Sequence, residues 1–310
     1  MDSGNIGFVL LCAAFVFVMT PGLAMFYGGL VRKKNVVNTM MTSIFIIGVG
    51  IVMWVLFGYS LSFAPSGNAF IGDFRWLGLE GVSLTEGYTD DASIPNMVFS
   101  AFQMMFAVIT PALITGAVAG RMKFKSIFVF TIFWSLIVYY PLAHMVWGQG
   151  GLLGADGIGA LDFAGGDVVH ISSGVSALVL CILLGKRHDY EHSIYRIHNI
   201  PTVVLGASLL MFGWFGFNAG SALAADGLAA HAFMTTGVSA AAAMLSWMLC
   251  DVIKNKKPTL IGASTGMVAG LVGITPGAGF VPMWAAVIIG LTTSPVCYIM
   301  ISYGKKKFGF

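Results

Sequence analysis

Apolar residues fill nine segments of the chain, and most polar residues lie between these segments. The segments are residues 6–31, 40–64, 96–119, 124–147, 167–185, 199–222, 229–252, 259–275 and 281–303. An α-helix rises about 1.5 Å per residue, so about 20 mostly apolar residues cross a hydrocarbon core of about 30 Å. The pattern predicts an all-α polytopic membrane protein, with nine spans in a single transmembrane domain over residues 1–310.

Composition agrees with this pattern. Hydrophobic residues make up 57% of the 310 residues and charged residues 9%, whereas charged residues make up about 25% of a soluble domain. The four cysteines lie singly in apolar segments without a C-x-x-C pair, so we interpret them as packing residues rather than metal ligands. The composition therefore predicts that the protein's main environment is a lipid bilayer.

Basic residues lie on one side of the predicted spans. They form five groups, namely Arg32, Lys33 and Lys34; Arg121, Lys123 and Lys125; Lys186, Arg187 and Arg196; Lys254, Lys256 and Lys257; and Lys305, Lys306 and Lys307. Each group follows an odd-numbered span, whereas the loop 65–95 after the second span is acidic. The positive-inside rule then predicts an outside N-terminus. Topology thus accounts for the net charge of +3, and no basic stripe indicates nucleic-acid binding.

Two glycine-broken stretches interrupt the apolar pattern. ALDFAGGDVVH enters the fifth span, and GWFGFNAGSAL leaves the sixth. Irregular backbone at membrane depth is tolerated only where protein or a water-filled cavity satisfies its polar groups. The two stretches occupy corresponding places in two five-span repeats, and the second repeat is inverted because five is odd. This arrangement is typical of a transporter or channel whose path runs between the repeats.

Aromatic side chains gather near these stretches and at the outer ends of the spans. The group includes Phe102, Phe106, Trp147, Trp214 and Phe217. One interpretation is an ordinary aromatic belt or helix packing. The other is a cation site, because ring faces attract a small cation through the ring quadrupole. In that case Ser221, beside Asn218, adds a hydroxyl acceptor.

Two ionisable residues accompany the first glycine-broken stretch. Asp162 either caps the following glycine-rich turn or supplies negative potential below a cation vestibule. If Asp167 is the N-cap of the fifth span, His170 lies in its first turn, where the helix dipole and burial favour a neutral imidazole. His170 is then either a core histidine with one hydrogen bond or a polar group lining an apolar path.

A family resemblance follows from five motifs. In order, the chain contains PGLAMFYGGLVRKKN, AHMVWGQGG, ALDFAGGDVVHISSG, GWFGFNAGSAL and GLVGITPGAGFV. Together these motifs resemble the ammonium transporter (Amt/Mep/Rh) family. The resemblance implies inverted five-helix repeats, eleven spans and a homotrimer with one pore per subunit. It also implies nitrogen uptake across the cell (plasma or inner) membrane, with the N-terminus outside.

The resemblance also assigns roles to individual residues. The external ammonium site of the family is matched by Trp147, Phe106 and Ser221, and its stacked phenyl gate is matched by Phe106 and Phe217. The supporting acid corresponds to Asp162, and the first of the two pore histidines corresponds to His170. We also expect that the pore or vestibule is lined by Phe102, Trp214 and Asn218. The implied substrate is ammonium, with methylammonium as its analogue, and no cofactor is expected. Because a bare cation is costly to desolvate, ammonium would lose its proton at the vestibule and cross as ammonia, with or without the proton.

The chain departs from the family at its C-terminal end. In the family a tenth helix carries the second pore histidine, and an eleventh helix follows. No segment after the ninth span matches them, because the chain ends at YGKKKFGF. The second repeat is thus expected to be incomplete, and we interpret the chain as a fragment of a longer protein rather than a truncated product.

Two other functions compete with transport. A sensor of the same fold would signal to a cytoplasmic partner. A transporter could also have a cytoplasmic regulatory protein as its partner. An intramembrane metalloenzyme would use His144, Asp162 and His170, but the sequence has no H-E-x-x-H or comparable ligand spacing. We therefore expect that the protein is not an enzyme.

Overall fold

The computed structural model describes residues 1–65, 68–155, 157–187 and 197–304. Within these ranges, nine helices are long and apolar enough to cross a membrane. They are α1 (Ser3–Leu30), α2 (Lys33–Phe63), α3 (Asn96–Val118), α4 (Phe124–Trp147), α5 (Gly166–Leu184), α6 (Ile200–Gly220), α7 (Gly227–Asn255), α8 (Leu260–Gly277) and α9 (Met283–Gly304). No strand occurs among the described residues, and the protein is an all-α, multi-pass membrane protein.

Some helices extend beyond the apolar segments that predicted them. Helix α2 starts with a 3₁₀ turn at Lys33–Asn35 and is α-helical from Val36, although its apolar segment starts at residue 40. Helix α7 continues to Asn255, past residue 252. An apolar segment delimits the part of a helix within hydrocarbon, while helical hydrogen bonding continues among polar residues at the headgroup level.

Helices α1 and α6 pack closely against each other at glycine residues. A Cβ on Gly206 of α6 would lie 2.3 Å from the backbone nitrogen of Phe26 and 2.6 Å from the carbonyl oxygen of Gly22, both in α1. No side chain fits at such a contact, and glycine there lets two helix backbones touch. These helices are the first helices of the two predicted repeats, so their contact joins one repeat to the other.

Helices α7, α8 and α9 pack together through small polar side chains. The Ser239 hydroxyl of α7 donates to the carbonyl oxygen of Gly270 in α8 at 3.0 Å. The Ser294 hydroxyl of α9 donates to the carbonyl oxygen of Ala243 in α7 at 2.6 Å. Such bonds between apolar helices add directional contacts where the hydrophobic effect supplies none.

The start of α5 differs from the expectation that Asp167 is its N-cap. Gly165, with φ of +115°, precedes the helix, and Asp167 lies in its first turn. The side chain of Asp162 instead accepts from the backbone N–H groups of this turn, so a second cap at Asp167 is not needed. The first residues, Gly166–Ile171, form a π-helical turn that contains His170.

Apart from Arg75 in the loop after α2, the described Lys and Arg residues lie near the C-terminal ends of α1, α3, α5 and α7, either in the last turn, in the following turn, or at the start of the next helix. Backbone contacts join these ends, because the His198 N–H donates to the Val31 carbonyl oxygen at 3.1 Å. The Arg121 guanidinium similarly donates to the Gly185 carbonyl oxygen at 3.0 Å. Arg196 and residues 305–307, which complete the predicted basic groups, lie outside the described residues.

Candidate functional site

A cavity of about 440 Å³, here called the vestibule, opens at the end of the bundle that holds the N-terminus. One wall is a face of α3, because Phe99, Phe102, Gln103 and Phe106 recur at helical spacing and all line the cavity. The other walls come from Trp147 at the end of α4, Asp162 and Phe163 before α5, residues 221–224 after α6, and loop residues 88, 89 and 91–94. Aromatic rings therefore supply much of its surface.

A second cavity of about 140 Å³, here called the inner cavity, is lined mainly by apolar side chains of α1, α3, α6 and α8. His170 and Trp214 also line it. Phe106 lines the vestibule and Phe217 lines the inner cavity, and their ring centroids are 4.2 Å apart at an interplanar angle of 31°. One ring of this pair therefore lines each cavity, and the two rings are in contact with each other.

Trp147 lies at a fixed orientation above Phe106. The two rings meet edge to face, with centroids 6.0 Å apart and an interplanar angle of 88°. The indole N–H donates to the backbone carbonyl oxygen of Asp162 at 3.0 Å. The hydrogen bond uses the polar edge of the indole, so its π-face remains available for contact with a cation.

The Asp162 carboxylate organises the chain that enters α5. Its two oxygens accept from four backbone N–H groups, those of Gly165 at 2.7 Å, Gly166 at 2.6 Å, Asp167 at 2.8 Å and Val168 at 3.2 Å. Burial raises the pKa of this carboxyl above its usual range, although the four donors act in the opposite direction. The carboxylate thus lines the vestibule while it caps the helix.

The His170 imidazole lies against two aromatic rings. It stacks on Trp214, with centroids 5.3 Å apart, and on Phe217, with centroids 6.0 Å apart. The Trp214 indole N–H donates to the Thr275 hydroxyl oxygen at 2.9 Å, which fixes the stack. Within the described residues, the buried Nε2 of His170 has no hydrogen-bond partner. It is a polar atom in a cavity that is lined mainly by apolar side chains.

Ser221 and Asn218 take different places. The Ser221 hydroxyl lines the vestibule and donates to the Phe217 carbonyl oxygen at 2.9 Å, so its oxygen lone pairs can accept from a ligand. Asn218 is fully buried, and its amide nitrogen donates to the Thr236 hydroxyl oxygen at 2.9 Å. The structure does not bring Asn218 into either of the two cavities described above.

Sequence reasoning missed two polar residues of the vestibule. Gln103 is 8% exposed, and its Oε1 has no hydrogen-bond partner in the described part of the chain. Its spacing from Phe106 along α3 could have placed it on the same face. Tyr88 lines the vestibule from the long loop and stacks on Phe99 with centroids 4.7 Å apart. Burial raises the pKa of Tyr88 to about 12, so its hydroxyl is neutral.

No metal centre is formed by the described residues, which contain no group of three or more His, Cys, Asp or Glu side chains placed to hold an ion. His144 is fully buried, with Nδ1 3.2 Å from the Ser62 carbonyl oxygen and Nε2 3.0 Å from that of Asn68. Both ring nitrogens therefore face backbone carbonyl groups.

Comparison with known proteins matches this arrangement. The family model described as Ammonium Transporter Family covers residues 7–310. The chain belongs to the ammonium transporter family. Over 310 residues it is 52% identical to an ammonium transporter of Bacillus subtilis, in a match that spans all of this chain and 75% of that relative. It is 42% identical over 307 residues to ammonium transporter Amt1 of Archaeoglobus fulgidus, covering 99% of this chain and 75% of Amt1.

Solved structures show the same fold for this ammonium transporter family member. The crystal structure of Saccharomyces cerevisiae Mep2 aligns with a TM-score of 0.90 and 38% identity, over 99% of this chain and 68% of Mep2. A structure described as a sensor Amt protein aligns with a TM-score of 0.88 and 28% identity, over 98% of this chain and 76% of that protein. The predicted family and fold class are therefore confirmed.

Proposed function

We propose that the protein binds ammonium in the vestibule, removes its proton there, and conducts ammonia through the inner cavity. The observation that carries this proposal is the Phe106 and Phe217 ring pair, which divides an aromatic cavity from an apolar cavity that holds one imidazole. The aromatic vestibule on one side of the pair suits the charged form of a small molecule, and the apolar inner cavity on the other side suits its neutral form.

The vestibule offers the contacts that a small cation needs. The faces of Trp147 and Phe106 each attract a cation by about 0.5–2 kcal/mol. The Ser221 hydroxyl oxygen and the Gln103 carbonyl oxygen accept its N–H bonds. Asp162 adds negative potential from the vestibule wall. Ammonium has four N–H donors and no acceptor. A site rich in aromatic faces and hydrogen-bond acceptors therefore binds ammonium better than a neutral solute.

The inner cavity suits ammonia rather than ammonium. Transfer of an isolated ion into an apolar medium costs on the order of tens of kcal/mol, and the lining of this cavity is mainly aliphatic and aromatic. The ion therefore gives up its proton on the vestibule side of the ring pair. Ammonia then enters the inner cavity, where Nε2 of His170 supplies a hydrogen-bonding atom. The proton either returns to the outer solvent or passes separately along His170, and a current accompanies transport in the second case.

The membrane setting forms part of this proposal. The basic groups follow odd-numbered helices, which supports an outside N-terminus and a vestibule that faces outward. The family resemblance supports a homotrimer in the cell membrane, with one pathway in each subunit. Native mass spectrometry of the protein extracted in mild detergent tests the trimer, and a monomer under all extraction conditions would contradict it.

Growth of cells that lack their own ammonium transporters tests the function. The protein is produced from its own gene, at low external ammonium and at a pH where little ammonia is present. We expect growth to be restored and external methylammonium to be taken up. Neither growth nor uptake, with the protein present in the membrane, would contradict the proposal.

A sensor is the second candidate function, favoured by the structural likeness to a sensor Amt protein. A sensor would bind ammonium in the same vestibule and change its contact with a cytoplasmic partner. Affinity capture from cells with and without ammonium separates the two functions. An ammonium-dependent partner without uptake supports the sensor, whereas uptake supports the transporter, with or without a cytoplasmic regulatory protein.

A further inference from the structure

The side chain of Asn5, in the first turn of α1, joins two separate walls of the vestibule. Its amide nitrogen donates to the Ser93 hydroxyl oxygen at 2.9 Å. Its carbonyl oxygen accepts from the backbone N–H of Ala225 at 2.9 Å. Ser93 belongs to the loop wall of the vestibule, and Ala224, next to Ala225, belongs to the wall after α6. One amide group thus connects segments that are far apart in the chain.

Asn5 is itself held in place. The Asp2 side chain accepts from the Asn5 backbone N–H at 2.8 Å and caps α1. The Asp2 backbone N–H donates to the Ser93 carbonyl oxygen at 2.8 Å. Two further hydrogen bonds therefore fix the start of α1 against the loop wall, so the Asn5 amide projects from a defined position.

The wall after α6 needs such a restraint. Leu223 lines the vestibule in the left-handed region, with φ of +58°, a conformation that residues with a Cβ adopt only where their surroundings enforce it. The Leu223 backbone N–H donates to the Gly220 carbonyl oxygen at 2.9 Å, which fixes one side of the turn. The bond from Ala225 to Asn5 fixes the other side, and the turn includes Ser221.

We infer that Asn5 is a positioning residue, which sets the affinity of the vestibule for ammonium by holding its two walls together without touching the ion. This inference rests on the proposed function, because it takes the vestibule as the ammonium site. Loss of the Asn5 amide would let the turn at Leu223 relax and would move the Ser221 hydroxyl away from the aromatic rings. The inner cavity and the ring pair would stay intact.

Two substitutions at Asn5 separate positioning from simple stability. Asn5→Ala removes both hydrogen bonds. Asn5→Asp keeps an acceptor for the Ala225 N–H and can accept from the Ser93 hydroxyl. The matched control is Thr259→Ala at the opposite end of the bundle, where the Thr259 hydroxyl accepts from the Gly262 N–H at 2.9 Å and caps α8. The control also removes side-chain hydrogen bonds, but it lies far from the vestibule.

Methylammonium uptake by the protein, produced from its own gene in cells lacking ammonium transporters, provides the first measurement. We expect Asn5→Ala to raise KM about three- to tenfold, the factor that corresponds to loss of the one hydrogen bond from the ion to the Ser221 hydroxyl oxygen, with the maximal rate per molecule unchanged within about twofold. Asn5→Asp should have a KM at or below that of the wild type. Thr259→Ala should lower thermal stability without changing KM.

Hydrogen exchange measured by mass spectrometry provides a second readout that does not depend on transport. In Asn5→Ala, peptides that cover residues 221–226 should exchange faster than in the wild type, and in Asn5→Asp they should not. Unchanged exchange in Asn5→Ala overturns the inference whatever the function is. Faster exchange with an unchanged KM overturns the positioning role and leaves the proposed function standing. Absent wild-type uptake overturns the proposed function, and the inference with it.

Discussion

The rings of Phe106 and Phe217 lie with their centroids 4.2 Å apart, and each ring faces a different cavity. Phe106 belongs to α3, and Phe217 belongs to α6. Side chains from helices of the two predicted repeats therefore meet at the boundary between vestibule and inner cavity, and movement of either ring would connect them. The consequences of this arrangement can be measured.

Removal of one ring should open the inner cavity to the outside. In a background with the four cysteines replaced by alanine, His170→Cys places a thiol in the inner cavity. We expect this thiol to react slowly with an impermeant thiol reagent applied outside, and to react at least about tenfold faster with Phe217→Ala added, because the ring no longer blocks the path. Phe215→Ala is the control, since Phe215 packs against Phe233 instead. Equal rates in all three proteins would contradict a gate.

Loss of the vestibule rings should weaken recognition of the cation. We expect Trp147→Leu and Phe106→Ala to raise the KM for methylammonium about two- to thirtyfold, because each removes a cation–π contact of about 0.5–2 kcal/mol. Sodium and potassium should still not pass. Trp284→Leu is the control, because Trp284 is 68% exposed on α9. Unchanged uptake and competition in the two vestibule variants would show that these rings serve only packing.

The Asp162 carboxylate should be important for stability as well as for binding. Asp162→Ala leaves four backbone N–H groups at the start of α5 without their acceptor, and each buried unsatisfied group costs about 1–3 kcal/mol. We expect a loss of at least about 3 kcal/mol in the free energy of unfolding in detergent. Asp226→Ala, which removes one cap bond from α7, should cost about 0.5–2 kcal/mol. Equal losses would show that the four bonds contribute little.

The orientation in the membrane can be tested by cysteine labelling in intact cells. In the same cysteine-free background, an impermeant reagent should label Glu86→Cys, which lies in the acidic loop, and should spare Arg187→Cys, which follows α5. The basic groups predict this result through the positive-inside rule. Both sites should be labelled after the cells are permeabilised. If only Arg187→Cys were labelled before permeabilisation, the orientation of the protein in the membrane would be the opposite of the predicted one.

Much of the fold followed from the apolar pattern, because long apolar helices have few alternatives in a membrane. The motifs of the family led us to expect the contact between Phe106 and Phe217, and the roles of these rings and of His170 stay predictions. The capping role considered for Asp162 is found in the structure, whereas Asp167 is not the N-cap of α5, because the backbone turn at Gly165 brings Asp162 to the helix start. The place of Tyr88 in the vestibule wall and the link that Asn5 makes between two walls were not predictable, because long-range contacts rather than local sequence place them.

The glycine contact between α1 and α6 also limits how the protein can move. A helix can slide or rotate past its neighbour only where side chains leave room, and the backbones of these two helices already touch at Gly22 and Gly206. Rocking of one half of the molecule against the other would break this contact. Under the proposed function, passage through the pathway would then depend on rotation of individual side chains, and such rotations are faster than collective domain motions. Kinetically, the protein should behave as a selective channel rather than as an alternating-access carrier.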